Sequence, residues 1–124
     1  MAELIYGEEA YKIIGKCMEV HRQLGAGFLE IVYKDALELE FTRANIPFER
    51  EKKYQILYKD VILPHCFYAD FVIMNEIVLE IKATAAIASE SISQTINYLA
   101  VSKCKLGLVV NFGSKSLEYK RVVF

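Results

Sequence analysis

Apolar side chains recur at helical spacing early in the chain. Ala10, Ile13, Ile14, Cys17, Met18 and His21 stand at i, i+3, i+4, i+7, i+8 and i+11. That spacing makes one stripe and predicts a helix over residues 8–23. Leu24-Gly25-Ala26-Gly27 breaks the pattern. A second helix is predicted over residues 28–44, with Leu29, Val32, Tyr33, Ala36 and Leu37 on its apolar side. Asn45 followed by Ile46-Pro47 ends it. From Phe48 the period changes to that of strands. Residues 48–58 and 61–74 read as a hairpin turned at Lys59-Asp60, with an irregularity near Pro64, because proline cannot donate to a sheet ladder. Asn75-Glu76 turns the chain into residues 77–82, an apolar run of the kind found in central strands. Residues 88–102 form a third helix with Ile92, Ile96 and Leu99 toward the core. Residues 106–112 (LGLVVNF) read as a buried strand. Gly113-Ser114-Lys115-Ser116 turns that strand into a last one, 117–124. Three meandering strands, then a helix and another strand, predict an α/β fold: a mixed sheet flanked by helices.

Composition narrows the class. With 124 residues, 54% of them hydrophobic, the chain reads as one domain that buries its core without disulfides or structural metal. The formal net charge of -1 argues against coating nucleic acid through bulk charge, which needs a large cationic excess. Charges interrupt every hydrophobic stretch, so no membrane span is expected. The first residues, MAELIYGEEAYKII, lack the order of a signal peptide. The three cysteines, Cys17, Cys66 and Cys104, are scattered and suit a reducing cytoplasm. With no CxxC pair and only His21 and His65, a zinc site is not expected. His21 falls on the first apolar stripe and is expected as a satisfied core histidine.

The chemistry is concentrated in the strands. In Leu79-Glu80-Ile81-Lys82, alternation puts Glu80 and Lys82 on one face and Leu79 and Ile81 on the other. Asp70 sits in a similar apolar setting within Tyr68-Ala69-Asp70-Phe71-Val72-Ile73. A hairpin with its tip near Asn75-Glu76 brings the two acids together. Charges in apolar strands are costly unless paired. One pairing is a buried salt bridge of Asp70 or Glu80 with Lys82. Two acids then compete for one lysine, and a divalent cation such as Mg²⁺, which takes a few carboxylates plus waters, resolves the excess.

The pattern D-x9-E-x-K, with this element order, resembles the PD-(D/E)xK nuclease superfamily and its αβββαβ, restriction-endonuclease-like core, here with an extra N-terminal helix. Gly27-Phe28-Leu29-Glu30-Ile31-Val32-Tyr33 is similar to the signature of the GxxExxY family within that superfamily. The similarity continues through Tyr68-Ala69-Asp70, Leu79-Glu80-Ile81-Lys82-Ala83, Gln94-Thr95-Ile96-Asn97-Tyr98-Leu99, residues 107–113 and Lys120-Arg121-Val122-Val123. Ala69 stands where the superfamily name has proline.

The resemblance implies one nuclease-like domain over residues 1–124. It implies that Asp70, Glu80 and the backbone carbonyl of Ile81 bind Mg²⁺ or Mn²⁺, and that Lys82 assists the attacking water. It makes Glu30 a helix acid that supports the metal through water, and Gln94 with Tyr98 a pair that holds substrate phosphate or buttresses Lys82. Glu30 also suits the helix dipole, Tyr33 suits core packing, and Gln94 with Tyr98 suit a polar helix face. The implied function is hydrolysis of DNA or RNA in the cytoplasm, away from membranes. Two alternatives stand beside it on the same fold. One is a non-catalytic nucleic-acid-binding module. The other is an oligomerising role in which the edge Arg121-Val122-Val123-Phe124 pairs across a homodimer.

Overall fold

The computed structural model describes residues 5–124. The elements are α1 (Gly7–Leu24), α2 (Glu30–Arg43), β1 (Phe48–Tyr58), β2 (Val61–Ile73), β3 (Ile77–Lys82), α3 (Ser89–Ser102), β4 (Leu106–Asn111) and β5 (Glu118–Val123). The five strands form one sheet in chain order, β1-β2-β3-β4-β5. The first three pair antiparallel, β3 and β4 pair parallel across the α3 connection, and β5 returns antiparallel. This is the predicted mixed α/β sheet. No helix among the described residues is long and apolar enough to cross a membrane.

Alternation in the central strands decides which helix covers which face. Leu79, Ile81, Leu108 and Val110 pack under α1 and α2, against Ile13, Tyr33 and Leu37. Val78 and Val109 point the other way, into a cluster built around Leu99 of α3, with Ile92 and Ile96 partly buried against it. All six residues of β4 are buried, which is why its sequence reads as a continuous apolar run.

Two helix faces differ from expectation. In α1 the buried set is Ala10, Ile13, Ile14, Cys17 and Val20, while Met18 is 50% exposed. Each residue advances about 100° around a helix, so Met18 lies a full step from the centre of the stripe at Cys17. His21 is half-buried, and its Nε2 bonds the Ser114 carbonyl at 3.0 Å. In α2 the buried residues are Tyr33, Lys34, Leu37 and Phe41. Leu29 is 76% exposed, because it caps the helix from outside instead of joining its face.

The β1/β2 hairpin holds a change of face. Phe48, Phe71 and Ile73 belong to the core under α1 and α2, whereas Tyr54 and Ala69 belong to the α3 side. Strict alternation would keep Phe71 with Ala69 and Phe48 with Tyr54. The switch falls at Glu51 and Asp70, which stand opposite each other between the pairs Arg50↔Phe71 and Lys52↔Ala69. Glu51 has φ 54°, a left-handed conformation that strains a residue with a side chain. Farther out, the register shifts between Gln55 and Leu57, opposite the stretch that holds Pro64, as the missing proline N–H predicts.

Candidate functional site

β2 and β3 pair only from Ile73↔Ile77 to Phe71↔Leu79. Beyond that point two carboxylates take over the backbone bonds. The Asp70 N–H donates to Glu80 Oε2 at 2.9 Å, and the Ile81 N–H donates to Asp70 Oδ2 at 2.8 Å. The acids therefore face each other where the two strands part, and each holds the other's strand. β3 meanwhile stays paired to β4 as far as Lys82↔Asn111. Glu80 and Lys82 thus ride on a fixed strand with one side open.

Glu80 is 5% exposed. Burial, and next the neighbouring Asp70 carboxylate, push its carboxyl up to about 8, against the pull of the Asp70 N–H, Lys82 and Lys34. Lys82 is half-buried and makes no ion pair among the described residues, so the alternative of a salt bridge from Asp70 or Glu80 to Lys82 does not form. Asp70 pairs instead with Lys34 of α2, whose Nζ donates to Asp70 Oδ1 at 2.9 Å and also to Glu51. Burial works against the Lys34 ammonium, but its bonds to Glu51 and Asp70 outweigh that and strengthen its hold on the proton.

Lys34 and Glu51 were not expected in the site. The available signal was weak: a lysine next to Tyr33, at the margin of the apolar stripe, where a charge that is buried needs a partner. Asn111 was also missed. It is fully buried; its Oδ1 accepts from the Thr84 and Gly113 N–H groups, and its Nδ2 donates to the Thr84 carbonyl and to Glu118. Glu118 in turn accepts from the Ile87 N–H at 2.9 Å. These bonds pin the loop that leaves Lys82 for α3.

The remaining expected residues fall at differing distances from the acids. Tyr98 lies flat on Phe67, with ring centroids 4.1 Å apart and planes at 3°, and Phe67 stacks on Tyr54. Burial first, and then the charges of Glu80 and Asp70, make its hydroxyl harder to ionise, so Tyr98 senses the acid pair. Gln94 is exposed one turn earlier on α3. Glu30 is exposed in the first turn of α2, one turn before Lys34 and on the same side of the helix. Among the described residues no three His, Cys, Asp or Glu side chains gather as a metal-binding group. Tyr33 is buried, stacks on Phe112 with centroids 4.6 Å apart, donates to the Gly25 carbonyl and accepts from the Phe28 N–H. It thereby ties down the turn before α2, in which Gly27 takes φ 117°, a value open in practice to glycine. A concavity of about 700 Å³ lined by Tyr11, Glu19, Glu40 and Pro47 contains none of the site residues.

The donor set suits a small hard cation. Two adjacent carboxylates, one of them buried and resisting ionisation, gain from a divalent ion that water and backbone oxygen help to satisfy.

Comparison with known proteins adds a family. The PD-(D/E)XK nuclease superfamily matches residues 7–122. No curated protein is similar. The crystal structure of SSO0001 resembles this one with a TM-score of 0.62 at 18% identity, over 95% of this chain and 60% of that one. At such identity the likeness is one of fold, and this chain spans about 60% of that neighbour's length.

Proposed function

The chain belongs to the PD-(D/E)XK nuclease superfamily, and we propose that it is a metal-dependent nuclease hydrolysing phosphodiester bonds of DNA or RNA. In this reading residues 1–124 act as a single nuclease-like domain of the GxxExxY type, working in the cytoplasm. The observation that carries it is the Asp70/Glu80 pair at the parting of β2 and β3, with Lys82 two residues on along the rigid strand.

Asp70, Glu80 and the Ile81 carbonyl would hold Mg²⁺ or Mn²⁺. When bound, such an ion would supply Lewis acidity for phosphodiester hydrolysis. Glu80, whose carboxyl is pushed up to about 8 by burial and by Asp70, would release its proton on serving as a ligand. Lys82 orients the attacking water and steadies the negative charge that develops at phosphorus. Glu30 supports the site through water from the α2 N-terminus. Gln94 and Tyr98 line the α3 side, where they hold a substrate phosphate or buttress Lys82.

Cleavage of single-stranded, double-stranded and branched substrates, with Mg²⁺ or Mn²⁺ and with EDTA, tests the proposal. The expected result is metal-dependent cleavage reduced about 10²-fold or more by Glu80→Ala and by Lys82→Ala. Activity that survives both changes overturns it.

Two companion readings stand beside this one. One is a nucleic-acid-binding module with little turnover, in which, at a net charge of -1, the contact would be local and not through bulk charge. Calorimetry discriminates, since that module binds nucleic acid without binding Mg²⁺ at Asp70 and Glu80. At the β5 edge Val123 is 56% and Phe124 76% exposed, which suits pairing with a second copy.

A further inference from the structure

We infer that Lys34 is a built-in counter-ion with which a divalent cation must compete for Asp70, so that this lysine sets the metal affinity of the site. The inference rests on the proposed metal site. Asp70 Oδ2 is committed to the Ile81 N–H, and Oδ1 to Lys34 Nζ at 2.9 Å. Any cation held by Asp70 therefore shares one carboxylate with a fixed ammonium. Two positive charges at such range repel strongly away from bulk water.

Lys34 cannot leave for solvent at little cost. It is 8% exposed, on the helix face that also buries Tyr33 and Leu37. Its second partner is Glu51, on the strained residue opposite Asp70. Glu51 is the more exposed of the two acids, with side-chain exposure of 46% against 17% for Asp70. The pair gives Lys34 an alternative acid to rest on when a cation claims Asp70. A purely structural lysine needs no second acid on a strained backbone. It also predicts the opposite result on removal, because Asp70 would then lose its support.

Calorimetric titration of the full chain with Mn²⁺ tests this. Lys34→Gln keeps an N–H donor for Asp70 and removes the charge, so Mn²⁺ should bind about tenfold tighter. Lys34→Arg keeps the charge and should stay within about twofold of the parent chain. Glu51→Gln changes only an exposed side chain and keeps the inference testable if the α2 variant does not fold. It removes the alternative partner and should weaken Mn²⁺ binding several-fold. The rise in melting temperature on adding Mn²⁺ should likewise be larger for Lys34→Gln than for the parent. Unchanged or weaker binding by Lys34→Gln, with the parent binding Mn²⁺ normally, overturns the inference and leaves the metal site standing. Unchanged binding by Glu51→Gln also overturns it. No Mn²⁺ binding by the parent or any variant overturns the metal site itself.

Discussion

Glu80 carries the largest electrostatic cost in the site, and that cost has a measurable pH signature. Its carboxyl ionises near 4.5 when unperturbed, but only at about 8 in the fold, because of burial and of Asp70. Between those values the unfolded chain has lost a proton that the folded chain keeps. Glu80 therefore favours the metal-free fold below about pH 4.5, and this contribution is lost as the pH rises through about 8. The loss has an upper limit of about 1.4 kcal/mol per pH unit. Thermal melts in EDTA should fall between pH 5 and 8, and Glu80→Gln should flatten that slope. Metal binding should release close to one proton at pH 7, read by calorimetry in buffers of different ionisation enthalpy. Asp70, Glu80 and Lys82 were visible in the sequence because charges interrupting apolar strand runs need an explanation. Lys34 was not, since a lone lysine at the margin of a helical stripe reads as a side chain that reaches out to water. Glu51 was hidden among the other charges of Phe48-Glu49-Arg50-Glu51-Lys52.

Among the elements, β3 and β4 behaved as simple alternation says, and β1 and β2 did not. Alternation placed Glu80 and Lys82 on the α3 face because a parallel neighbour keeps β3 regular to its end. The hairpin switches faces at Glu51 and Asp70, where one left-handed residue resets the pleat. No periodicity records that event, and at the same point Lys34 of α2, distant in sequence, bonds both acids. The loop after β3 was equally hidden, since its support lies nearly thirty residues on, in Asn111 and Gly113. A Cβ on Gly113 would stand 2.3 Å from the Thr84 carbonyl oxygen and 2.4 Å from its nitrogen, both backbone atoms. Gly113→Ala should therefore cost about 3 kcal/mol of stability, from overpacking that no side-chain movement relieves. Chemical denaturation measures it, and a change under about 0.5 kcal/mol contradicts the tight Gly113–Thr84 approach.

For the whole molecule, the mixed sheet type followed from element order, because three meandering strands and one helical crossover require both parallel and antiparallel pairs. Assembly is less legible, since an exposed edge looks alike whether or not it is paired. Light scattering should show a dimer if β5 pairs with a second copy, and Val123→Lys should shift it to monomer; a strict monomer at high concentration contradicts that reading. The superfamily match covers residues 7–122, and the strand parting sets the Asp70 and Glu80 carboxylates side by side. The most direct test is a crystal soaked in Mn²⁺ and measured for anomalous scattering. The account predicts one strong peak bound by the Asp70 and Glu80 carboxylates, absent in Glu80→Ala crystals. A soaked crystal with that position free of Mn²⁺ at saturating concentration would contradict it.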